Sequence, residues 1–310
     1  MPNADATELS PAELAAWPLP DPGSSKDDRG SVLVIGGARR TPGAVVLAGG
    51  AALRVGAGRV TLAVAESAAP SLAIAFPEAA VIGLRETPEG AVVGTDVERL
   101  RGSIDVDCVL IGPGLDDAQE ATSLLLSLRP LLGDTSVVVL DAFALGALPD
   151  AHAFTDGLGG RLVFTPNLTE AAILLGTDEA DSESAAFDVA ARYDATVTCQ
   201  GRISDGAEQY VVSGGGPMLG TAGSGDVLAG AIAGLAARGL PPLGACAWGT
   251  LLHAASGDRL AERTGPLGAL AREFADEFPR LLRGYEASIR HALGSPDEAP
   301  DDFERPASAT

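Results

Sequence analysis

The chain has 310 residues, 46% of them hydrophobic, which is enough for one large α/β domain or two small ones. Its formal net charge is −21, and a field of that sign repels nucleic acid and anionic lipid. No segment reaches the ~18 continuous apolar residues of a membrane span, and no basic start with an apolar stretch marks a secretory leader. Cys108, Cys199 and Cys246 are widely separated, which favours buried thiols in a reducing cytosol. Composition therefore predicts a cytoplasmic protein that binds neither nucleic acid nor membrane.

Residues 1–29 mix Pro, Asp and Ser, and they predict a helical or irregular arm before a single domain at 30–293. Within that domain, apolar strand patterns alternate with helical ones. The predicted strands are 31–37, 59–66, 79–84, 107–114, 136–142, 161–167, 196–201 and, as a short extra strand, 210–215. The predicted helices are 43–56, 117–131, 168–176, 182–192, 224–238, 242–263 and 266–292. The acidic, Pro-containing segment 294–310 predicts a disordered tail.

Most of the predicted strands are apolar at every position rather than at alternate ones, as in SVLVIGG at 31–37. Continuous apolar strands are typical of a parallel sheet that is covered by helices on both faces. Several of these strands end in Gly, Asp or Asn, so polar groups collect at their carboxyl ends. Open α/β sheets bind their ligands in that crevice, so the sequence predicts a ligand site there.

The segment 213–239, SGGGPMLGTAGSGDVLAGAIAGLAARG, holds small residues up to Asp226 and then a helical pattern. A helix N-terminus has unpaired backbone N–H groups and a partial positive charge. Residues 222–225 carry little side chain, so phosphate oxygens could bind their amides. The segment lacks the Lys of the Walker pattern GxxxxGK[ST], and Gly36-Gly37 does not begin GxGxxG, which disfavours a P-loop or a dinucleotide fold.

Asp226 would lie in the first turn of this helix, beside the same phosphate. A carboxylate beside a phosphate is electrostatically unfavourable, so its presence suggests a catalytic function. The function that fits is that of a general base, which takes a proton from a hydroxyl that attacks the terminal phosphoryl group. The alternative is that Asp226 only caps a helix behind a flexible turn.

The order of several motifs resembles one family in the ribokinase-like superfamily. These motifs are VLVIGG, PGAVVLAGGAALRVGAGRVTLAV, PEAAV, IGPGL, VVVLDAFAL, TPNLTEA and GTAGSGDVLAG, and the resemblance runs from about Gly30 to about Leu282. The chain is similar to the ADP/ATP-dependent NAD(P)H-hydrate dehydratases. The expected fold is a ribokinase-like three-layer α/β/α sandwich with a central, mostly parallel sheet, assembled as a homotetramer.

The resemblance implies nicotinamide nucleotide repair. The family phosphorylates the ring hydroxyl of the S-epimer of hydrated NADH or NADPH and then eliminates phosphate, which restores the ring double bond. The expected co-substrate is ADP or ATP with Mg²⁺, and the expected enzyme is a hydro-lyase.

The family's site residues map onto positions of this chain. The expected substrate contacts are Ala44, Gly114, Asn167 and Asp226, the last also as the catalytic base. In ribokinase-like vitamin kinases, which share the TPNLTEA motif, Asn and Glu organise the Mg²⁺–phosphate network, so that resemblance makes Glu170 the candidate that organises Mg²⁺ through water. The expected nucleotide contacts are Gln200, Gly201, Arg202, Ile203, Ser204, Gly223, Ser224 and Gly225.

Two positions depart from the family pattern. Asn167 stands where the family has a substrate-contacting His, and Gln200 stands where it has a Lys near the phosphates. Asn can donate and accept hydrogen bonds but cannot carry charge, and the loss of Lys removes a cation. TPNLTEA also matches ribokinase-like vitamin kinases such as hydroxymethylpyrimidine phosphate kinase. Two alternatives therefore stay open, a small-molecule kinase and a diverged, non-catalytic nucleotide-binding protein. Asn167 and Glu170 could equally be a turn residue and a helix-start acid.

Overall fold

A computed structural model describes residues 6–292 of the chain. The tail expected at 294–310 lies outside these residues, as does the start of the predicted arm. Among the described residues, no helix is both long enough and apolar enough to cross a membrane.

Within residues 6–292, ten strands form one sheet in the order β1-β10-β9-β8-β7-β6-β5-β2-β3-β4. In chain order the strands are β1 (Thr7–Glu8), β2 (Ser31–Ile35), β3 (Arg59–Ala65), β4 (Ala80–Leu84), β5 (Cys108–Ile111), β6 (Val137–Leu140), β7 (Leu162–Phe164), β8 (Thr196–Cys199), β9 (Arg202–Ser204) and β10 (Gln209–Val211). Only β9 runs antiparallel to its neighbours β8 and β10, and every other pair is parallel. The predicted mostly parallel sheet is confirmed.

Helices cover both faces of the sheet. They are α1 (Pro11–Leu14), α2 (Gly43–Arg54), α3 (Ala69–Ala75), α4 (Ala118–Leu128), α5 (Phe143–Ala147), α6 (Leu168–Leu175), α7 (Ala185–Tyr193), α8 (Ser224–Ala237), α9 (Pro242–Thr264) and α10 (Ala271–Ala292). Val32 and Val34 of β2 face the core that α2, α8, α9 and α10 share, and Leu33 and Ile35 face the core under α4 to α7. The two-sided burial explains why the strands are apolar at every position.

The N-terminal arm is more closely tied to the sheet than the sequence predicts. Thr7 and Glu8 form β1, which pairs with Tyr210 and Val211 of β10, so the expectation of a purely helical or irregular arm is wrong at this point. Farther on, the Trp17 carbonyl accepts a hydrogen bond of 2.8 Å from Trp248 Nε1. Local propensity does not show a two-residue strand, because its stability comes from the partner strand.

Two helices, α3 and α5, were not predicted, and α10 begins at Ala271 rather than at residue 266. Both missed helices are short, at seven and five residues, so their apolar periodicity covers two turns at most. Cys108, Cys199 and Cys246 are buried and free, as expected.

The contact between α2 and α8 places the glycine-rich segment on the sheet. A Cβ at Gly230 would lie 2.1 Å from the Ala48 carbonyl oxygen, and one at Gly234 would lie 2.6 Å from Val55 Cγ2. Only glycine allows the two helix backbones to approach so closely. This contact holds the N-terminus of α8 at the carboxyl end of the strands.

Candidate active site

The N-terminus of α8 is open. Gly223 precedes the helix with φ 87°, a left-handed conformation that glycine adopts readily, and no side chain caps the first turn. The Ser224 hydroxyl donates to the Leu219 carbonyl at 2.5 Å, which ties the turn to the preceding segment. A Cβ added at Gly225 would meet nothing within 4 Å. The helix therefore starts at bare backbone.

The amides of Gly225 and Asp226 have no hydrogen-bond acceptor among residues 6–292, whereas Ser224 N donates to the Thr221 carbonyl. Unpaired amides at a helix N-terminus attract anions because the helix dipole adds a partial positive charge. The arrangement can thus bind the phosphate of a nucleotide, as the glycine-rich pattern predicts.

Two carboxyl groups near this turn have raised pKa values. Asp226 is half-buried, and burial raises its pKa to about 6. Asp141 follows β6 and is buried, which raises its pKa to about 7, and the nearby charges of Asp226 and Glu170 raise it further, although the hydrogen bond from Thr165 lowers it. Thr165 Oγ1 donates to Asp141 Oδ1 at 2.7 Å. A carboxylate poised near neutral pH suits a general base.

The N-terminus of α6, in contrast, is closed by its own side chains. Asn167 Oδ1 accepts from the Glu170 amide at 2.9 Å, and Glu170 Oε2 accepts from the Asn167 amide at 3.0 Å. This capping box explains the TPNLTE sequence locally. Burial raises the pKa of Glu170, which the two Asn167 hydrogen bonds partly offset. The turn and helix-start roles weighed for these residues are therefore present, and Asn167 still has its amide NH₂ for a ligand.

A cavity of about 560 Å³ lies between these two helix N-termini. Its walls come from the end of β7, the β8–β9 turn, the segment before α8, α8 itself and α9. The lining residues are Thr165, Pro166, Asn167, Thr198, Gln200, Gly201, Val212, Gly214, Gly216, Leu219, Gly220, Ser224, Gly225, Leu228, Thr250, His253 and Ala254.

The cavity wall includes some of the predicted nucleotide contacts and not others. Gln200 and Gly201 form the β8–β9 turn with φ 51° and 77°, and they line the cavity with Ser224 and Gly225. Gly223 adjoins this wall as the residue that precedes α8.

The next three predicted contacts lie away from the lining. Arg202 forms an ion pair with Glu183. Ile203 is buried in the core, and the buried Ser204 donates to the Glu208 carbonyl at 2.9 Å. Their side chains are engaged elsewhere because β9 carries them back along the sheet. Because these three residues are not among those that line the cavity, a nucleotide contact at these positions stays a prediction.

Two of the predicted substrate contacts lie together beside α8. A Cβ at Gly114, where φ is 71°, would be 3.0 Å from Ala44 Cβ and 2.4 Å from the Thr41 carbonyl oxygen. Leu47, one turn after Ala44, approaches Gly223, where an added Cβ would be 2.6 Å from Leu47 Cδ1. The structure thus brings Ala44 and Gly114 to the same end of the sheet as the α8 turn.

His253, a residue of α9, was assigned no functional role from the sequence. His253 lines the cavity while it is buried, and its ring stacks on Phe274 with centroids 5.5 Å apart. Burial lowers its pKa to about 4, so the ring is neutral at pH 7. Within the described part of the chain, Nε2 has no hydrogen-bond partner. Thr250, His253 and Ala254 share one face of α9 at helical spacing, and that spacing was the signal available.

The carboxylates do not form a preformed metal cage. Among residues 6–292, no group of three or more His, Cys, Asp and Glu side chains is arranged to hold an ion. Glu170 uses one oxygen in the capping box, which leaves the other for a water ligand. Mg²⁺ commonly keeps several waters and binds through substrate phosphates, so the residues present fit an ion that arrives with a nucleotide.

A mostly parallel sheet of ten strands within residues 6–292, with an uncapped helix N-terminus and a carboxylate beside it, defines a ribokinase-like nucleotide-binding protein. A ribokinase-like superfamily protein from Enterococcus faecalis matches with a TM-score of 0.77 and 25% identity, over 92% of this chain and 98% of that one. An ADP/ATP-dependent NAD(P)H-hydrate dehydratase from Bacillus subtilis, co-crystallised with ATP/Mg²⁺, matches with a TM-score of 0.74 and 22% identity, over 91% of this chain and 100% of that one. At that identity it supports the fold.

Relatives that are similar in sequence identify the family within the ribokinase-like superfamily. The family model described as NAD(P)H-hydrate dehydratase matches residues 32–280. An ADP-dependent (S)-NAD(P)H-hydrate dehydratase from Xanthomonas campestris is 44% identical over 283 residues, which cover 88% of this chain and 95% of the relative. A bifunctional NAD(P)H-hydrate repair enzyme from Moorella thermoacetica is 37% identical, but the match covers only 54% of its length. The chain belongs to the NAD(P)H-hydrate dehydratase family.

Proposed function

We propose that this protein is an ADP-dependent (S)-NAD(P)H-hydrate dehydratase. The observation that carries the proposal is the match to the Xanthomonas enzyme, which spans 95% of that enzyme and includes the open α8 turn with Asp226. The bifunctional relatives are about twice as long as the matched region, so the second activity of those proteins is not part of the proposal.

In the proposed reaction Asp226 removes the proton from the ring hydroxyl. The hydroxyl oxygen then attacks the terminal phosphorus of ADP, and the bond from that phosphorus to the bridging oxygen breaks to release AMP. The free amides at the start of α8 stabilise the charge on the phosphoryl oxygens. In the second stage the C–O bond to phosphate breaks and the neighbouring ring carbon loses a proton, which restores the double bond.

Each group of residues has a part in this proposal. Ala44 and Gly114 present a surface without bulky side chains to the hydrated ring, and the Asn167 amide donates to the substrate. Gln200, Gly201, Gly223, Ser224 and Gly225 hold the nucleotide. Bound Mg²⁺ would neutralise phosphate charge, and Glu170 would hold it through water.

Asn167 and Gln200 are the two places where this chain departs from the family pattern. Neither residue carries charge, so neither replaces the imidazole or ammonium of the family. We expect weaker binding of substrate and nucleotide phosphates rather than loss of the reaction, because the α8 amides and Asp226 are both in place.

The test incubates purified protein with the S-epimer of NADH hydrate or NADPH hydrate, Mg²⁺, and either ADP or ATP, and follows the return of reduced-nicotinamide absorbance. Recovery with release of AMP and phosphate supports the proposal. Turnover of nucleotide with a hydroxymethylpyrimidine-type alcohol, but not with the hydrate, would identify a small-molecule kinase instead. Nucleotide binding without turnover of either substrate would identify a non-catalytic binding protein.

We also infer a cytoplasmic homotetramer. The three buried free cysteines suit a reducing compartment, and the family resemblance supports the tetramer. Light scattering on the full chain measures the assembly directly, and a monomeric mass at micromolar concentration would contradict it.

A further inference from the structure

The segment before α8 contains three consecutive glycines with unusual backbone geometry. Gly214, Gly215 and Gly216 have φ values of 113°, 80° and 48°, a left-handed region that few other residues adopt. Gly214 and Gly216 line the cavity described above. Three adjacent glycines have high conformational freedom, so a segment of this kind forms a defined wall only if something outside it holds it in place.

Asp258 on α9 holds this segment. Its Oδ1 accepts a hydrogen bond of 2.7 Å from the Gly215 amide. A Cβ at Gly214 would lie 2.5 Å from Asp258 Oδ2, so the carboxylate lies directly against the glycine backbone. The neighbouring Gly257 allows the same approach, because a Cβ there would lie 3.0 Å from the Gly215 carbonyl oxygen and 2.9 Å from Leu219 Cδ2.

The Asp258 carboxylate has no arginine or lysine partner among the ion pairs of residues 6–292. Its neighbour Arg259 pairs with Glu277 instead. The charge of Asp258 is therefore directed to the Gly215 amide, and a hydrogen bond with an ionised acceptor is stronger than one between neutral groups.

The same side of α9 continues into the cavity. His253 and Ala254 line the cavity. One turn later on α9, Gly257 follows His253 by four residues and Asp258 follows Ala254 by four residues, so they lie on the same side of the helix. Helix α9 thus supplies one wall of the cavity directly and fixes a second wall, the glycine segment, through Asp258.

We propose that Asp258 is a positioning residue for nucleotide binding, which holds residues 214–216 in the conformation that forms the cavity wall. This inference rests on the proposed function only for the identity of the occupant, ADP. Asp258 acts through the backbone of the segment and does not itself contact the reacting atoms.

The test compares Asp258→Ala with Asp258→Asn, since the Asn side-chain oxygen can still accept from the Gly215 amide. Titration calorimetry with ADP and Mg²⁺ should give a Kd at least about tenfold higher for Asp258→Ala, which corresponds to about 1.4 kcal/mol, and a clearly smaller increase for Asp258→Asn, which keeps the acceptor but not the charge. Amide exchange at Gly215 should accelerate in Asp258→Ala and remain close to wild type in Asp258→Asn.

Gly257→Ala is a second, independent variant. Alanine favours the helix, so α9 should remain folded, yet the new Cβ presses on Gly215 and Leu219 and should raise the Kd for ADP. Asp188→Ala on α7 is the matched control, because Asp188 also accepts a local hydrogen bond, from the Ser184 hydroxyl at 2.7 Å, and lies outside the cavity lining. Its Kd for ADP should not change.

Unchanged ADP affinity in folded Asp258→Ala and Gly257→Ala would overturn the proposal, as would an Asp258→Asn variant that binds as weakly as Asp258→Ala. Because binding is measured without turnover, the outcome is separate from the repair assay. A wild-type chain that binds ADP but does not convert the hydrate would contradict the proposed function and leave the role of Asp258 to be decided by the Kd series.

Discussion

The N-termini of α6 and α8 both line the same cavity, but only that of α6 is capped by side chains. At α6, Asn167 and Glu170 form a capping box with bonds of 2.9 and 3.0 Å, which pairs the amides of these two residues. At α8, Gly223 precedes the helix, no side chain caps it, and the amides of Gly225 and Asp226 have no acceptor among the described residues. A side-chain cap stabilises the N-terminus of a helix, and an uncapped N-terminus lacks that stabilisation.

We expect the α8 end to bind the anion. Both ends carry the partial positive charge of a helix dipole, but at α8 the amide of the third helical residue, Asp226, has no acceptor among the described residues, whereas at α6 the Asn167 side chain accepts from the corresponding amide of Glu170. The α6 end instead places the Asn167 side chain at the cavity wall, with its Oδ1 accepting from the Glu170 amide. Four predictions test this comparison, from the largest expected effect to the smallest.

Asp226→Asn should lower kcat by about 10³-fold, within the range that general base catalysis contributes, because the amide cannot accept the hydroxyl proton. The Kd for ADP should change little, since the backbone amides remain. Steady-state kinetics with the hydrate and calorimetry with ADP measure the two quantities. A near-normal kcat would refute the catalytic role of Asp226.

Gly225→Leu should raise the Kd for ADP by about tenfold or more, which is at least about 1.4 kcal/mol. The site has open space around the Gly225 Cβ position and no left-handed φ, so the new side chain should occupy the anion site without disturbing the fold. Gly50→Leu on α2 also has open space and serves as the control. Equal ADP affinity in both variants would show that the α8 end does not bind the phosphate.

The rate should fall at acidic pH with a midpoint near Asp226's pKa of about 6, because burial raises that pKa and only the ionised form is a base. Asp141 has a pKa of about 7 and is therefore mostly uncharged near pH 6, so Asp141→Asn should leave the midpoint close to that of wild type. The pH dependence of kcat/KM for both proteins provides the measurement. A midpoint that falls by about one pH unit or more in Asp141→Asn would show that Asp141 is already ionised when Asp226 titrates, which contradicts this order of titration.

Asn167→Ala should lower the free energy of unfolding by about 1 kcal/mol through loss of the α6 cap. Asn167→Ser keeps a capping oxygen and should lose less. Urea denaturation of both variants gives the values. If the two variants are equally stable, the capping box is not what stabilises the start of α6, and the contrast with α8 weakens.

The motifs predicted the start of α8 better than local propensity predicted the shortest strands and helices. The start of α8 at Ser224 agrees with the predicted helix at 224–238, because a Gly-rich segment followed by an apolar helical pattern is a strong local signal. Strand β1 and helices α3 and α5 were missed, since two to seven residues carry too little pattern and depend on partners distant in sequence.

The cavity itself was only partly predictable. Gln200 and Gly201 line it, but Arg202, Ile203 and Ser204 follow β9 away from its lining, and the turn that separates them depends on the left-handed φ of Gln200. Helical spacing placed Thr250, His253 and Ala254 on one face of α9, but only the fold shows that this face meets the cavity and that Asp258 contacts the segment before α8.

The amino-acid sequence by itself determined the parallel sheet, the family and the place of the glycine-rich turn before α8, since each follows from a local pattern of residues: apolar strands, ordered motifs, and small residues before a helix. Only the tertiary structure decided which two helix N-termini meet at one cavity, which carboxylates share a buried site, and where α9 contacts the glycine segment. These features arise from contacts between residues tens to hundreds of positions apart, and burial, which sets the pKa values of Asp141 and Asp226, exists only once the chain has folded.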